Sequence, residues 1–283
     1  AFIIMFARTF EDECIYGNYN NSLKFNYSDI SSMRKVYKAY QFYSIFDIED
    51  ANIDSLPDHL FTDMCMFKVS LSNNQIRFIS NTSFKGMISI FQLSLDHNKL
   101  ESLDNLIIGL DATNLNILDL SYNYARRITA QFSANLTSLN SLNLNNNEIE
   151  FIADFVFKNL EGLLTLTLEN NMLKKIGNFT FAKIVKLKTL NLGGNLINEI
   201  EYDAFNDIST LDNLVLSENS IEYLNDVFRN LSKLSLLSLK SNKIIRFNPG
   251  VFAKLENLKN LDISGNTLNE SFSIEGLNRL NNL

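Results

Sequence analysis

Nine asparagines, Asn74, Asn98, Asn123, Asn147, Asn171, Asn195, Asn219, Asn242 and Asn266, stand at intervals of 24, 25, 24, 24, 24, 24, 23 and 24 residues. Each lies in a copy of the pattern L-x-x-L-x-L-x-x-N-x-I/L. Self-similarity at such a period confines a chain to stacked repeats, because one unit is too short to bury its apolar face and must share it with its neighbours. A degenerate copy opens at Tyr43 with Ala51 in the asparagine slot, which brings the expected number of repeats to ten. In the clearest copy Leu139, Leu142 and Leu144 precede Asn147, and Ile149 and Ile152 follow it. The alternation Leu142-x-Leu144 predicts a short strand with two inward side chains. The chain must then turn against the core, where backbone N–H and C=O groups need partners. An asparagine amide carries donors and acceptors on one short side chain, so the asparagines are expected to satisfy those groups and stack as a ladder.

Ten residues after most of these asparagines stands a phenylalanine: Phe61, Phe84, Phe157, Phe181, Phe205 and Phe252, with Phe132 and Phe228 displaced by one and Ile108 as a substitute. These predict an aromatic spine under the convex side. Met64, Met87, Leu160, Ile184, Ile208, Leu231 and Leu255, three residues further on, predict a second apolar row. Parallel strands about 4.8 Å apart would form a sheet roughly 45–50 Å long over ten repeats. The other side needs more room per repeat, so the stack must curve. The expected fold is an α/β repeat solenoid, a horseshoe with a parallel concave β-sheet and a mostly irregular or short helical convex side.

With 283 residues, two prolines and ten glycines, the chain offers no flexible linker and reads as one elongated domain. Residues 43–268 are assigned to the solenoid. Residues 10–42 do not fit the repeat; the alternating run Leu23-Lys-Phe25-Asn-Tyr27 is expected to pair as a hairpin in an N-terminal cap. Residues 1–9 are apolar and read either as the tail of a secretory signal or as an ordinary terminal strand. Residues 269–283 read as the start of a further repeat or a truncated C-terminal cap, as in a fragment of a longer protein.

A net charge of −7 and a pI near 5.0 weigh against nucleic-acid binding, which draws on clustered Lys and Arg. No stretch approaches the roughly 20 apolar residues of a membrane span. Catalysis is not expected: the chain has just two histidines, His59 in a connecting segment with no Cys or His near it at metal spacing, and His97 after Asp96 at the end of a strand, where a polar residue meets solvent; no cofactor motif appears. Gly193-Gly194 is too short for a phosphate loop and fits a tight backbone approach next to Asn195. Cys14 and Cys65 either bridge the cap to the first repeats or pair elsewhere, or stay buried and free. Seven Asn-x-Ser/Thr acceptors, Asn20, Asn26, Asn81, Asn135, Asn178, Asn230 and Asn269, avoid the strand segments of the concave face and are glycosylation candidates if the chain is exported.

What remains is the outward row of the concave strands. It includes Ser70, Ser72, Ser94 and Ser121, is polar and mostly uncharged, and turns acidic toward its N-terminal end. The residues expected to meet a partner are Asp47, Glu49, Asp50, Asp96, His97, Asp119, Tyr122, Asn143, Asn145, Thr167 and Glu169, facing a basic or hydrogen-bonding surface.

The 24-residue motif, the phenylalanine ten residues after each asparagine and the hairpin-like cap resemble the typical subfamily of extracellular leucine-rich-repeat proteins, which includes Toll-like receptor ectodomains and insect adhesion proteins. The resemblance covers residues 43–268. More narrowly, Glu13-Cys14-Ile15, Leu23-Lys-Phe25, Ser32-Met-Arg34 and Leu56-Pro-Asp-His-Leu60-Phe61 resemble secreted leucine-rich immune proteins of mosquitoes. The sequence departs from that group at Phe25, where a second cap cysteine usually stands, and shows none of the group's closing cysteines or its coiled coil. The resemblance implies an extracellular protein-recognition module acting in insect innate immunity, with homo- or heterodimerisation open to it. A receptor or adhesion ectodomain is the alternative, and an intracellular scaffold is the alternative of another class.

Overall fold

A computed structural model describes residues 22–24 and 45–268, apart from 63, 65, 88–89, 105, 107–109, 111–113, 134–135 and 249. Ten three-residue strands, from Ile45–Asp47 to Asn260–Asp262, join an edge strand at Ser22–Lys24 in one eleven-stranded sheet. All neighbours run parallel in the order of the sequence, which is the topology of a solenoid. The central residue of each strand pairs with the central residue of the next, from Phe46 and Val69 to Leu237 and Leu261. From Phe46 to Leu237 these side chains are buried. The residues on either side of them form the concave surface and are half-buried in most strands, as at Ser141 and Asn143.

Residues 22–24 of the expected cap extend the sheet as a parallel edge strand. The rest of that segment, with Cys14, Asn20 and Asn26, lies outside the described residues, as do Cys65, Asn135 and Asn269. Four further two-stranded parallel pairs run along the flank beyond the asparagines, one of them Arg127–Ile128 with Phe151–Ile152. Among the described residues eight turns thus carry both strands, against the ten repeats expected. The Asn98 turn, with its longer interval to Asn123, shows the concave strand alone among its described residues, and the outer segment of the Asn266 turn lies outside the described residues.

The asparagine ladder is present in all nine turns. Each Nδ2 donates to a carbonyl of the preceding repeat at 2.7–3.0 Å. Each Oδ1 accepts a backbone N–H of that repeat at 2.9–3.1 Å. The amide therefore links neighbours as well as closing its own turn, where Asn147 also reaches the carbonyls of Leu144 and Asn145. Asn74 to Asn242 are buried, as a group replacing water for enclosed backbone must be.

One apolar core runs the length of the stack. Phe157, Phe181, Phe205 and Phe228 form its spine, stacked at centroid separations of 6.4, 6.2 and 6.1 Å with interplanar angles of 4–12°. Phe132 meets Phe157 edge-on at 6.4 Å, while Phe61 stacks on Phe84 at 4.8 Å. The Ile108 slot between these runs lies outside the described residues. The second row from Met64 to Leu255 is buried throughout. Each such side chain removed from water stabilises the fold by about 1.5–3 kcal/mol.

Candidate functional site: the concave face

The position just before each asparagine, and before Ala51 in the first turn, has a left-handed backbone. Asp50, Asn73, His97, Tyr122, Asn146, Asn170, Gly194, Glu218, Ser241 and Gly265 all have φ between 53° and 67°. This bend keeps the chain bonded after the strand has ended. The N–H of Tyr122 donates to Asn145 O at 2.9 Å and that of Asn146 to Glu169 O at 2.8 Å, with the same step repeated along the stack. Asn, Asp, His and Gly adopt this region most readily, and they fill seven of the ten places. Gly194 fits the tight approach expected there, since a Cβ would overlap the side-chain oxygen of Asn170. The row projects side chains at the lip of the concave face. There His97 and Tyr122 stack at 4.1 Å, and Asn170 donates to Asn146 Oδ1 at 3.0 Å.

Below that lip the acidic end is hydrogen-bonded from rung to rung. Ser70 donates to Glu49 at 2.8 Å and Ser72 to Asp96 at 2.5 Å, while the other Asp96 oxygen lies 2.9 Å from His97 Nδ1. Glu49, Asp50, His97 and Tyr122 are exposed. Asp47 and Asp96 are half-buried. The serines at 70, 72, 94 and 121 were expected to face outward, yet they are buried. Their side chains are short, and Ser70 and Ser72 lie bonded to the longer Glu49 and Asp96.

The centre is a second ladder, this time of concave side chains. Asp119 accepts from Ser121 Oγ at 2.7 Å and from Asn143 Nδ2 at 3.0 Å. Thr167 donates to Asn143 at 2.9 Å, Asn145 accepts the Glu169 N–H at 2.7 Å, and Glu169 accepts from Asn191 at 3.1 Å. Asn143, Asn145, Thr167 and Glu169 thus come together as one connected surface, half-buried and held by one another. At the far end the Ser264 hydroxyl and N–H hold the Asp262 carboxyl below its usual range.

Several exposed side chains were not singled out from the sequence. Tyr124, Met172 and Leu196 stand exposed two residues beyond the lip row. On the flank, Arg127 covers the exposed Phe151 at 4.3 Å and Arg246 lies 5.5 Å from Tyr223. Lys175 reaches Glu201 at 2.5 Å and Glu199 at 2.9 Å, raising its own pKa and lowering that of Glu201. The signal for the lip row was available in Asn73, Asn146, Asn170, Gly194 and Gly265, each of which precedes one of the asparagines. His59 is exposed on a convex turn, 3.4 Å from the Thr62 hydroxyl. Asn81 and Asn230 are exposed and Asn178 is half-buried, all away from the concave strands. Among the described residues no group of three or more His, Cys, Asp or Glu is placed to hold a metal, and no helix is long and apolar enough to cross a membrane.

Comparison with known proteins agrees with this geometry. The family described as BspA type leucine rich repeat region matches in six copies over residues 150–275, and the leucine rich repeat family matches residues 44–100 and 113–173. Rabbit (Oryctolagus cuniculus) fibromodulin is 34% identical over 61 residues, 22% of this chain and 40% of that protein. The crystal structure of a TLR13–ssRNA13 complex superposes with a TM-score of 0.79 at 24% identity, over 91% of this chain and 38% of the other. A leucine-rich-repeat protein of Leptospira interrogans gives 0.72 at 22% identity, over 92% and 63%. An internalin of Listeria monocytogenes gives 0.66 at 23% identity, over 84% and 65%. The chain therefore spans less than two thirds of the length of each of these relatives, and the likeness to the solved structures is one of fold. Repeat, ladder, sheet and family matches converge: the chain is a leucine-rich-repeat protein.

Proposed function

We propose that this chain is the recognition surface of an extracellular protein and binds a protein partner with a basic or hydrogen-bonding face along its concave sheet. The observation that carries the reading is the acidic end of that sheet. Asp96 lies 2.9 Å from His97 in the exposed His97–Tyr122 stack, and Glu49 and Asp50 stand two rungs away toward the N-terminal end, so the same face offers ring surface to a long side chain and carboxylates for charge. Arginine and lysine match both features, through ion pairing and through packing of their stems on aromatic rings. The same acidity weighs against an RNA ligand, although RNA is bound in the TLR13 complex. A role in insect innate immunity follows from the resemblance set out above, and a receptor or adhesion ectodomain would use the same face.

Site-directed photo-crosslinking tests the reading. A benzophenone side chain is placed at Tyr122 on the lip or at Tyr202 on the convex side, and the chain is exposed to extracellular fluid from its source. Crosslinks from position 122 that disappear in a Glu49→Lys/Asp96→Lys variant are expected. Crosslinks from position 202 alone, or indifference to the charge reversal, would overturn it.

A further inference from the structure

Phe155 and Phe179 occupy equivalent places in neighbouring turns of the convex arc, with ring centroids 4.7 Å apart and an interplanar angle of 20°. Both are exposed, at 40% and 49%, unlike the buried stacks of the spine. Phe155 also sits at φ 56°, a conformation that a bulky side chain adopts at a cost, and its N–H is bonded to Phe179 O at 3.1 Å. Phe179 is the middle residue of the acceptor Asn178-Phe179-Thr180. Asn178 is fixed in a particular way: its Oδ1 accepts the Asp203 N–H of the next turn at 2.8 Å, and its own N–H donates to Glu201 at 2.8 Å. Nδ2 lies on the opposite edge of the amide plane, away from that next-turn contact. At Asn230, by contrast, Nδ2 itself is the atom bonded to a neighbour, Asn206.

We propose that Asn178 carries an N-linked glycan whose first N-acetylglucosamine covers the Phe155–Phe179 pair. This rests on the extracellular reading above. In the transfer, Asn178 Nδ2 forms a bond to the anomeric carbon of an oligosaccharide carried on a lipid pyrophosphate. The bond from that carbon to the phosphate oxygen breaks, its electron pair leaves with the lipid pyrophosphate, and the displaced amide proton passes to a base of the transferase. The Thr180 hydroxyl accepts the Gly177 N–H at 3.0 Å and is enclosed in the folded turn, so transfer precedes closure of this turn. The C–H face of the sugar then removes ring surface from water without disturbing Oδ1.

The chain is expressed in insect cells behind a heterologous secretion signal, so that transfer is available whatever the native route. Glycopeptide mass spectrometry is expected to find Asn178 occupied, and sugar protons to show ring-current shifts that vanish in Phe179→Ser, which keeps the acceptor. Asn178→Gln should lower the melting temperature by about 2–4 °C, and by much less in a Phe155→Asn background, where the residue suits the left-handed backbone. An empty Asn178 beside occupied Asn81 or Asn230 overturns the proposal, as does a thermal shift that ignores Phe155. Protein isolated from its source with sugars elsewhere but not at Asn178 sinks the proposal alone; no sugar at any acceptor sinks the extracellular reading with it.

Discussion

Replacing Asn147 with leucine isolates the contribution of the polar ladder, because the two side chains are close in volume and the apolar surroundings stay filled. In the native turn Nδ2 donates to Leu120 O at 3.0 Å across the repeat boundary, and to Leu144 O and Asn145 O at 3.2 Å within the turn. Oδ1 accepts the Ala125 N–H at 3.1 Å. Asn147→Leu leaves Leu120 C=O and Ala125 N–H enclosed without this partner, at about 1–3 kcal/mol each. The expected destabilisation is therefore about 2–6 kcal/mol, with the carbonyls of its own turn pushing toward the upper half. Repeats touch only their neighbours, so the damage should stay local. Urea unfolding measures the loss, and amide hydrogen exchange locates it. Protection should fall around residues 123–128 and 144–149 and persist around 213–239. A loss below about 1 kcal/mol, or protection lost evenly along the chain, would refute the account of the ladder. Asn147→Asp sharpens the test, since a carboxylate would face three carbonyl oxygens. Its folded-state pKa should lie above the unfolded value near 3.9, so the variant should recover stability below that pH and lose it as pH rises.

Phe181 has spine rings on both sides, at 6.4 and 6.2 Å, and Phe181→Ala should cost about 3–5 kcal/mol in urea unfolding. Glu218 holds the left-handed place at φ 56°, and Glu218→Gly should stabilise the chain by about 0.5–1 kcal/mol; a loss of stability would count against strain at that site. The Glu201 carboxyl is held below its ordinary value of 4.5 by Lys175 and by the Asn178 N–H. Its contribution is fully present above that pH and is lost as pH falls through the lower folded value, so Glu201→Gln should flatten the acid limb of a stability curve.

Much of this architecture was legible because a repeated residue repeats its environment. The asparagines and the phenylalanine spine could be assigned from spacing alone, since burial on one side and turning on the other admit few other solutions. The left-handed row was written in Asn73, Asn146, Asn170, Gly194 and Gly265 but obscured by Tyr122, Glu218 and Ser241, whose types give no hint of it. The depth of Ser70 and Ser72 depends on which longer side chains lie over them, and the bonds among Asp119, Asn143 and Thr167 depend on the rung spacing. Neither follows from a one-dimensional pattern. The exposure of Phe155 and Phe179 was hidden because convex arcs follow neither the strand nor the helix period.

The strand register has a consequence for how such a chain tolerates changes in length. Leu93 pairs with Leu118 and Leu214 with Leu237, offsets of 25 and 23 obtained by subtraction, yet both pairs sit level in one sheet. Insertions and deletions of single residues are therefore absorbed on the outer arc while the inner rungs keep phase. Excising one whole period, residues 148–171, should shorten the horseshoe by a rung and bring the two halves of its inner surface together with every remaining rung still in phase.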